Sequence, residues 1–100
     1  QCETSAWFSK GEDGKRGAQI DLLIDRRDRI INICEMKYSI NEFTIDSEYD
    51  KTLRNKLQVF RDETKTRKAL HLTMITTYGV KKNMYSNSVQ SQVVLDDLFA

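Results

Sequence analysis

The chain of 100 residues has no proline, four glycines, two cysteines, and one histidine and one tryptophan. Two cysteines are too few for a disulfide scaffold or a tetrahedral metal site. Cys34 alternates with Ile33 and Glu35 in an apolar run and reads as a small buried thiol, while Cys2 sits near the chain's start. The single histidine, His71, lies between Leu70 and Leu72 and reads as structural, so no Ser/His/Asp or Cys/His arrangement can be built around it. No run approaches the ~18 uncharged apolar residues of a membrane span, and there are no repeats or low-complexity tracts. The expectation is a soluble, reduced, cytoplasmic protein with no membrane partner. The chain starts with Gln and shows neither a basic start nor a leader-like apolar run, so it reads as a piece of something longer.

Its length is that of one domain with a single core. Net charge is only +1, but it is unevenly spread. Residues 1–50 carry 7 Lys/Arg against 11 Asp/Glu, and residues 51–100 carry 9 against 4. Nine basic residues in the 51–82 stretch face only Asp62 and Glu63. An excess of that sign suggests a partner with phosphates.

Aromatic and small residues from Thr4 to Lys10 predict a strand, and the three glycines of Gly11–Gly17 predict a hairpin loop. A second strand is expected over Gln19–Asp25, a polar turn over Arg26–Arg29, and a third strand over Ile30–Tyr38. Ser47 reads as a helix N-cap with Asp50 three residues on. Tyr49, Leu53, Leu57, Phe60 and Thr64 recur at spacings of three and four, which predicts a helix over Glu48–Lys65 with one buried face. A fourth strand follows over Ala69–Val80, parallel to the third because a helix separates them, then a polar loop and a last strand or short helix over Val93–Phe99. The order β-β-β-α-β-β predicts an α/β fold: an antiparallel meander, a helix crossover, and a mixed sheet with a packed helix.

Alternation along the second strand puts Gln19, Asp21, Leu23 and Asp25 on one face, and Ala18, Ile20, Leu22 and Ile24 on the other as core. Along the third, Ile31, Ile33, Glu35 and Lys37 share a face. Pairing through a turn centred on Arg27 and Asp28 sets opposite each other positions whose numbers sum to about 55–57. Asp21 then lies beside Glu35, and Gln19 beside Lys37. Two carboxylates on one face near a core repel each other. A divalent cation resolves that repulsion, and oxygen donors such as Asp21, Glu35 and the backbone carbonyl of Met36 suit Mg²⁺ (or Mn²⁺), which takes one or two carboxylates and keeps several waters. Lys37 beside such an ion would orient a water or neutralise a phosphate under attack. A cross-strand ion pair on a half-exposed sheet would use the same three residues without a metal.

"GAQIDLLID" followed by "ICEMKYS" resembles the core of the PD-(D/E)XK nuclease superfamily, in which an Asp on one strand and a Glu-x-Lys on the next hold Mg²⁺ for phosphodiester hydrolysis. The matching positions are Asp21, Glu35 and Lys37; Gly17 and Gln19 also sit where related nucleases often have a Gly and an acidic residue or Gln. Over nearly its full length the chain resembles, more narrowly, the C-terminal nuclease-like domain of archaeal-type P-loop ATPases found in bacteria. The resemblance implies a restriction-endonuclease-like fold over residues 1–100, attached in the parent protein to an ATPase domain, with DNA as partner. Asp21 and Glu35 would hold the metal, Lys37 would assist the attacking water, and Gln19 would orient ligands. Departures are that Ile20 stands where a Pro is common, and that no helix supplying an acidic residue precedes the first strand, for which Glu3 and Glu12 are poor substitutes. "GEDGKRG" is not G-x-x-x-x-G-K-[ST], so ATP binding is not expected. A non-catalytic DNA- or protein-docking module of the same fold is the alternative.

Without the preceding helix, part of an apolar sheet face is expected to be exposed and to pair, giving a homodimer. On the helix, Lys51, Arg54, Gln58, Arg61 and Lys65 fall within an arc of about 80° away from the apolar stripe. Of these, Lys51, Arg54, Arg61 and Lys65 are the expected contacts to a DNA backbone; the same charges would also serve a solvated helix face.

Overall fold

The chain is described by a computed structural model covering residues 2–9 and 18–95. The described elements are β1 (Cys2–Ser9), β2 (Ala18–Arg26), β3 (Ile30–Lys37), α1 (Ser47–Thr64), β4 (Ala69–Thr76), a 3₁₀ turn (Ser86–Ser88) and β5 (Ser91–Val94). They form an α/β fold in which one five-stranded sheet, ordered β1-β2-β3-β4-β5, carries α1 on one face. β1, β2 and β3 pair antiparallel, and β3, β4 and β5 pair parallel. The hairpin loop expected over Gly11–Gly17 lies outside the described residues, as does the end of the last expected strand.

Chemistry local to each connection explains the path. In the β2–β3 turn the three residues Arg27–Arg29 reverse the chain, with Arg29 taking a left-handed φ of 68° at the third position, and Arg26 pairs with Asp28 across it. The helix starts one residue earlier than expected: Asp46, not Ser47, is the N-cap, and its Oδ1 accepts the Tyr49 N–H at 2.8 Å. At the far end Lys65 adopts the left-handed conformation, and its N–H closes on the Arg61 carbonyl. Before the helix, Phe43 bridges Val80, its N–H donating to the Gly79 carbonyl at 2.8 Å. Gly79 has a φ of +98°, a conformation that side chains rarely adopt.

The core lies between α1 and the sheet. Leu53 and Phe60 from the helix meet Ile20 and Leu23 of β2, Ile31 and Ile33 of β3, and Leu72 and Met74 of β4. Trp7 packs edge-on against Phe60, with ring centroids 5.1 Å apart. The expected β2 core set is corrected here: Ala18 and Ile20 are buried, but Leu23 joins them in place of Leu22 and Ile24, which are half-buried. The cause is a β-bulge. β1 and β2 pair Ser5 with Leu23 and Trp7 with Ile20, so Asp21 and Leu22 together face the single residue Ala6. One extra residue shifts the alternation, and Ile20 and Leu23 come to the same side.

Candidate functional site

The bulge sits where the sheet opens. β2 and β3 pair from Asp25–Ile31 to Leu22–Cys34, a register whose numbers sum to 56, and the ladder stops there. Asp21 and Glu35 occupy the next position along that register. Their side chains replace the missing ladder bonds: the Asp21 N–H donates to Glu35 Oε2 at 3.4 Å, and the Met36 N–H donates to Asp21 Oδ2 at 3.0 Å. Because the N–H and C=O of one strand residue lie on the same side of the strand, the Met36 carbonyl edge also turns towards Asp21.

Glu35 is only 1% exposed and lies under the helix on the Ile31–Ile33 side of β3. Lys56 reaches down from α1 and donates its ammonium to Glu35 Oε1. Burial pushes the Glu35 carboxyl above the usual carboxylate range; the Lys56 ammonium opposes that shift, and the Asp21 charge adds to it. Tyr49 stands two helical turns before Lys56 on the same face of the helix. Its hydroxyl is buried without a hydrogen-bond partner, and burial followed by the charges of Glu35 and Asp21 pushes it up. Lys37 lays its ammonium 5.1 Å from the centre of the Tyr49 ring, a cation–π contact, and Phe43 meets the same ring edge-on at 5.3 Å.

Among the described residues no group of three or more His, Cys, Asp or Glu side chains gathers in one place. The converging donors are two carboxylates and a backbone edge, all oxygen. That set fits a hard cation such as Mg²⁺, which completes its shell with water, and it does not suit a soft one. One of the two Glu35 oxygens, however, is already bonded to Lys56.

The other expected site residues divide. Gln19 is exposed and pairs in register with Phe8 of β1. It alternates with Ile20, which faces the helix, so the bulge turns Gln19 to the opposite side from Glu35; the expected place beside Lys37 is corrected. On the helix Lys51, Arg54 and Lys65 are exposed, with Lys51 3.9 Å from Glu48 and Arg54 3.0 Å from the buried Asp50. Arg61 departs from the expected track. Its Nη1 donates to the carbonyls of Thr66 and Lys68 at 2.9 and 2.7 Å, which ties down the turn after the helix. Glu12 lies outside the described residues, and Glu3 is exposed on β1.

Lys56 is the residue that sequence reasoning missed. Its number lies seven after Tyr49, three after Leu53 and four before Phe60, so it falls inside the apolar stripe. A lysine at an inward position of an otherwise apolar row signals a buried acceptor. No family model, curated protein or solved structure matches this chain.

Proposed function

We propose that this chain is a restriction-endonuclease-like domain of the PD-(D/E)XK type, which binds Mg²⁺ and acts on DNA phosphodiester bonds. The observation that carries the reading is the meeting of Asp21, Glu35 and the Met36 backbone where β2 and β3 part. Stability alone gives no reason to bring two carboxylates together at the edge of a core. Asp21, Glu35 and the Met36 carbonyl would hold the cation, which when bound supplies Lewis-acid stabilisation of charge on a phosphate. Asp21 is half-exposed and gives solvent a way in, while Glu35 is closed beneath the helix. Lys37, on the Glu35 side of β3, keeps its ammonium close by on the Tyr49 ring, from where its flexible stem reaches a phosphate or a water. Lys51, Arg54 and Lys65 offer sequence-independent phosphate contacts along the exposed helix face. In the parent protein the domain would serve an attached ATPase, and a second copy of the chain would cover the open sheet face.

Melting with and without Mn²⁺ tests the site, since a ligand that binds only the native state adds about 2.7 kcal/mol at a hundred times its Kd. The melting temperature is expected to rise, and Asp21→Asn to remove the rise. Lys37→Ala is expected to abolish cleavage of DNA while leaving the Mn²⁺ shift in place; cleavage unchanged by this substitution removes Lys37 from the reaction.

A specific observation favours a second reading. Lys56 balances Glu35 without a metal, as it would in a docking module that kept the fold and lost turnover. Absence of any Mn²⁺ shift together with retained DNA or protein binding would select it.

A further inference from the structure

Both Glu35 oxygens are hydrogen-bonded, Oε1 by Lys56 and Oε2 by the Asp21 amide. A divalent cation held by Asp21 and Glu35 would have to approach a carboxylate oxygen on which the Lys56 ammonium already sits, setting two cations against each other at short range. Charge points the same way. Asp21, Glu35 and Lys56 together carry one negative charge; a dication added with Lys56 in place would leave the two carboxylates and two cations with a net charge of +1, whereas withdrawal of Lys56 leaves the site neutral. Withdrawal is open to it, because the Lys56 side chain keeps 17% of its surface exposed and its four-carbon stem is flexible. Lys37 does not compete for the same place, since its ammonium rests over Tyr49.

We infer that Lys56 is a built-in counter-ion that occupies the cation's place on Glu35, so that the Lys56–Glu35 pair and a bound divalent cation exclude each other. This rests on the metal-site reading above. Lys56 is on this view a positioning residue: it neutralises Glu35 while the site is empty, and every metal ion that binds must first displace it. Metal affinity is therefore set by the helix as well as by the strands.

Calorimetric titration of Mn²⁺ into the chain and into Lys56→Met and Lys56→Arg tests the inference. Lys56→Met keeps the stem without the charge and should bind Mn²⁺ about tenfold more tightly or better, because no ion pair has to be broken first. Lys56→Arg keeps the charge and should show no gain. Equal or weaker binding by Lys56→Met, with the unsubstituted chain binding well, overturns the counter-ion role and leaves the metal site standing. Failure of all three chains to bind overturns both. Should Lys56→Met not fold, Mg²⁺ titration of the unsubstituted chain followed through the Lys56 ε-methylene NMR signal gives the same answer. That signal is expected to move to the position of a solvated lysine as the site saturates, and a signal that stays put while Asp21 and Met36 respond overturns the inference.

Discussion

Along β3, Ile31, Ile33, Glu35 and Lys37 turn to the helix while Ile30, Asn32, Cys34 and Met36 turn away, and the two faces treat polarity in opposite senses. The covered face holds a carboxylate that is 1% exposed and paired with a lysine. The open face carries half-buried Leu22, Ile24, Ile30, Met36 and Ile75, crossed by a polar row. In that row Arg26 Nη1 lies 3.5 Å from Asn32 Oδ1, Asn32 Nδ2 donates to Thr73 Oγ1 at 3.0 Å, and the Thr73 and Ser91 hydroxyls meet at 2.8 Å. These residues floor a groove of about 650 Å³. The covered side is otherwise the apolar core, so Glu35 and Lys56 are its exception, and burying a charged pair there is costly unless something else requires it. That exception is what the proposed metal site would explain, and the half-buried aliphatic residues are what the proposed second copy would cover.

The largest contrast is expected in packing. Phe60→Ala, under the helix against Trp7, should cost about 4 kcal/mol, whereas Ile24→Ala on the open face should cost less than about 1 kcal/mol. Urea midpoints check both. A large cost at Ile24 means that the open face is buried in solution, and light scattering should then show the expected dimer.

Next in size is the ion pair. Lys56→Met should cost about 2–3 kcal/mol without metal, because it strands a buried carboxylate. Glu35→Gln combined with Lys56→Met should recover most of that loss, since a neutral pair of similar volume carries no desolvation penalty. A double variant as unstable as the single one means that Lys56 contributes through its stem and not through its charge.

The same carboxylate gives the covered face a pH dependence. Burial holds the Glu35 proton in the folded state to a higher pH than in the unfolded chain, where carboxyls titrate near about 4.3. Folded protein then binds more protons than unfolded protein between those two values, so stability falls as pH rises through that window and is highest below it. Lys56 and the charge of Asp21 pull in opposite directions, Lys56 reducing the effect and the Asp21 charge enlarging it, while the Asp21 amide that donates to Glu35 also reduces it. Glu35→Gln should flatten the decline in melting temperature from pH 4.5 towards neutrality; an identical decline in the variant places its origin elsewhere.

The order of elements and the cross-strand neighbours were legible because both depend on local pattern. Strand parity and a short turn around Asp28 suffice to set Asp21 beside Glu35, and the spacing of Tyr49, Leu53 and Phe60 suffices for the helix. What was not legible depends on partners distant in the chain. The bulge at Asp21 and Leu22 exists only against Ala6 of β1, and it alone exchanges Leu22 for Leu23 in the core and turns Gln19 away. Arg61 looked like its exposed neighbours because nothing in a helical wheel reveals the carbonyls of Thr66 and Lys68 beyond the helix end. Lys56 is the intermediate case, visible as a charge inside an apolar row but without meaning until Glu35 is seen opposite.

On the outer surface of the helix the effect is smaller and purely electrostatic. Lys51→Gln with Lys65→Gln should weaken binding to DNA of any sequence and lower the log-salt slope by about two, one for each phosphate contact. Arg61→Gln is expected to act differently, lowering stability through the lost carbonyl bonds more than it lowers the slope. Unaltered slopes in the folded double variant would reduce the outer charges to a solvated face.

The smallest effect expected is one that links the two faces. Cys34 lines the open groove yet is 1% exposed, and its thiol is pushed up first by burial and then by the charge of Glu35, its neighbour in the chain. Side chains at 34 and 35 point to opposite sides of the sheet, so the influence passes through a single thickness of backbone. Only the thiolate attacks an alkylating reagent. In a Cys2→Ser background, Glu35→Gln should therefore shift the pH midpoint of Cys34 alkylation downward and speed the reaction modestly at a fixed pH. Stability must be matched, because a looser fold would also speed access; the midpoint, unlike the rate, reports the charge. Binding of Mn²⁺ should move the midpoint in the same direction, since a cation on Glu35 cancels the charge that Cys34 feels. A midpoint that responds to neither change would mean that the charge on Glu35 is already cancelled by Lys56, and that the open face is electrically separate from the site beneath the helix.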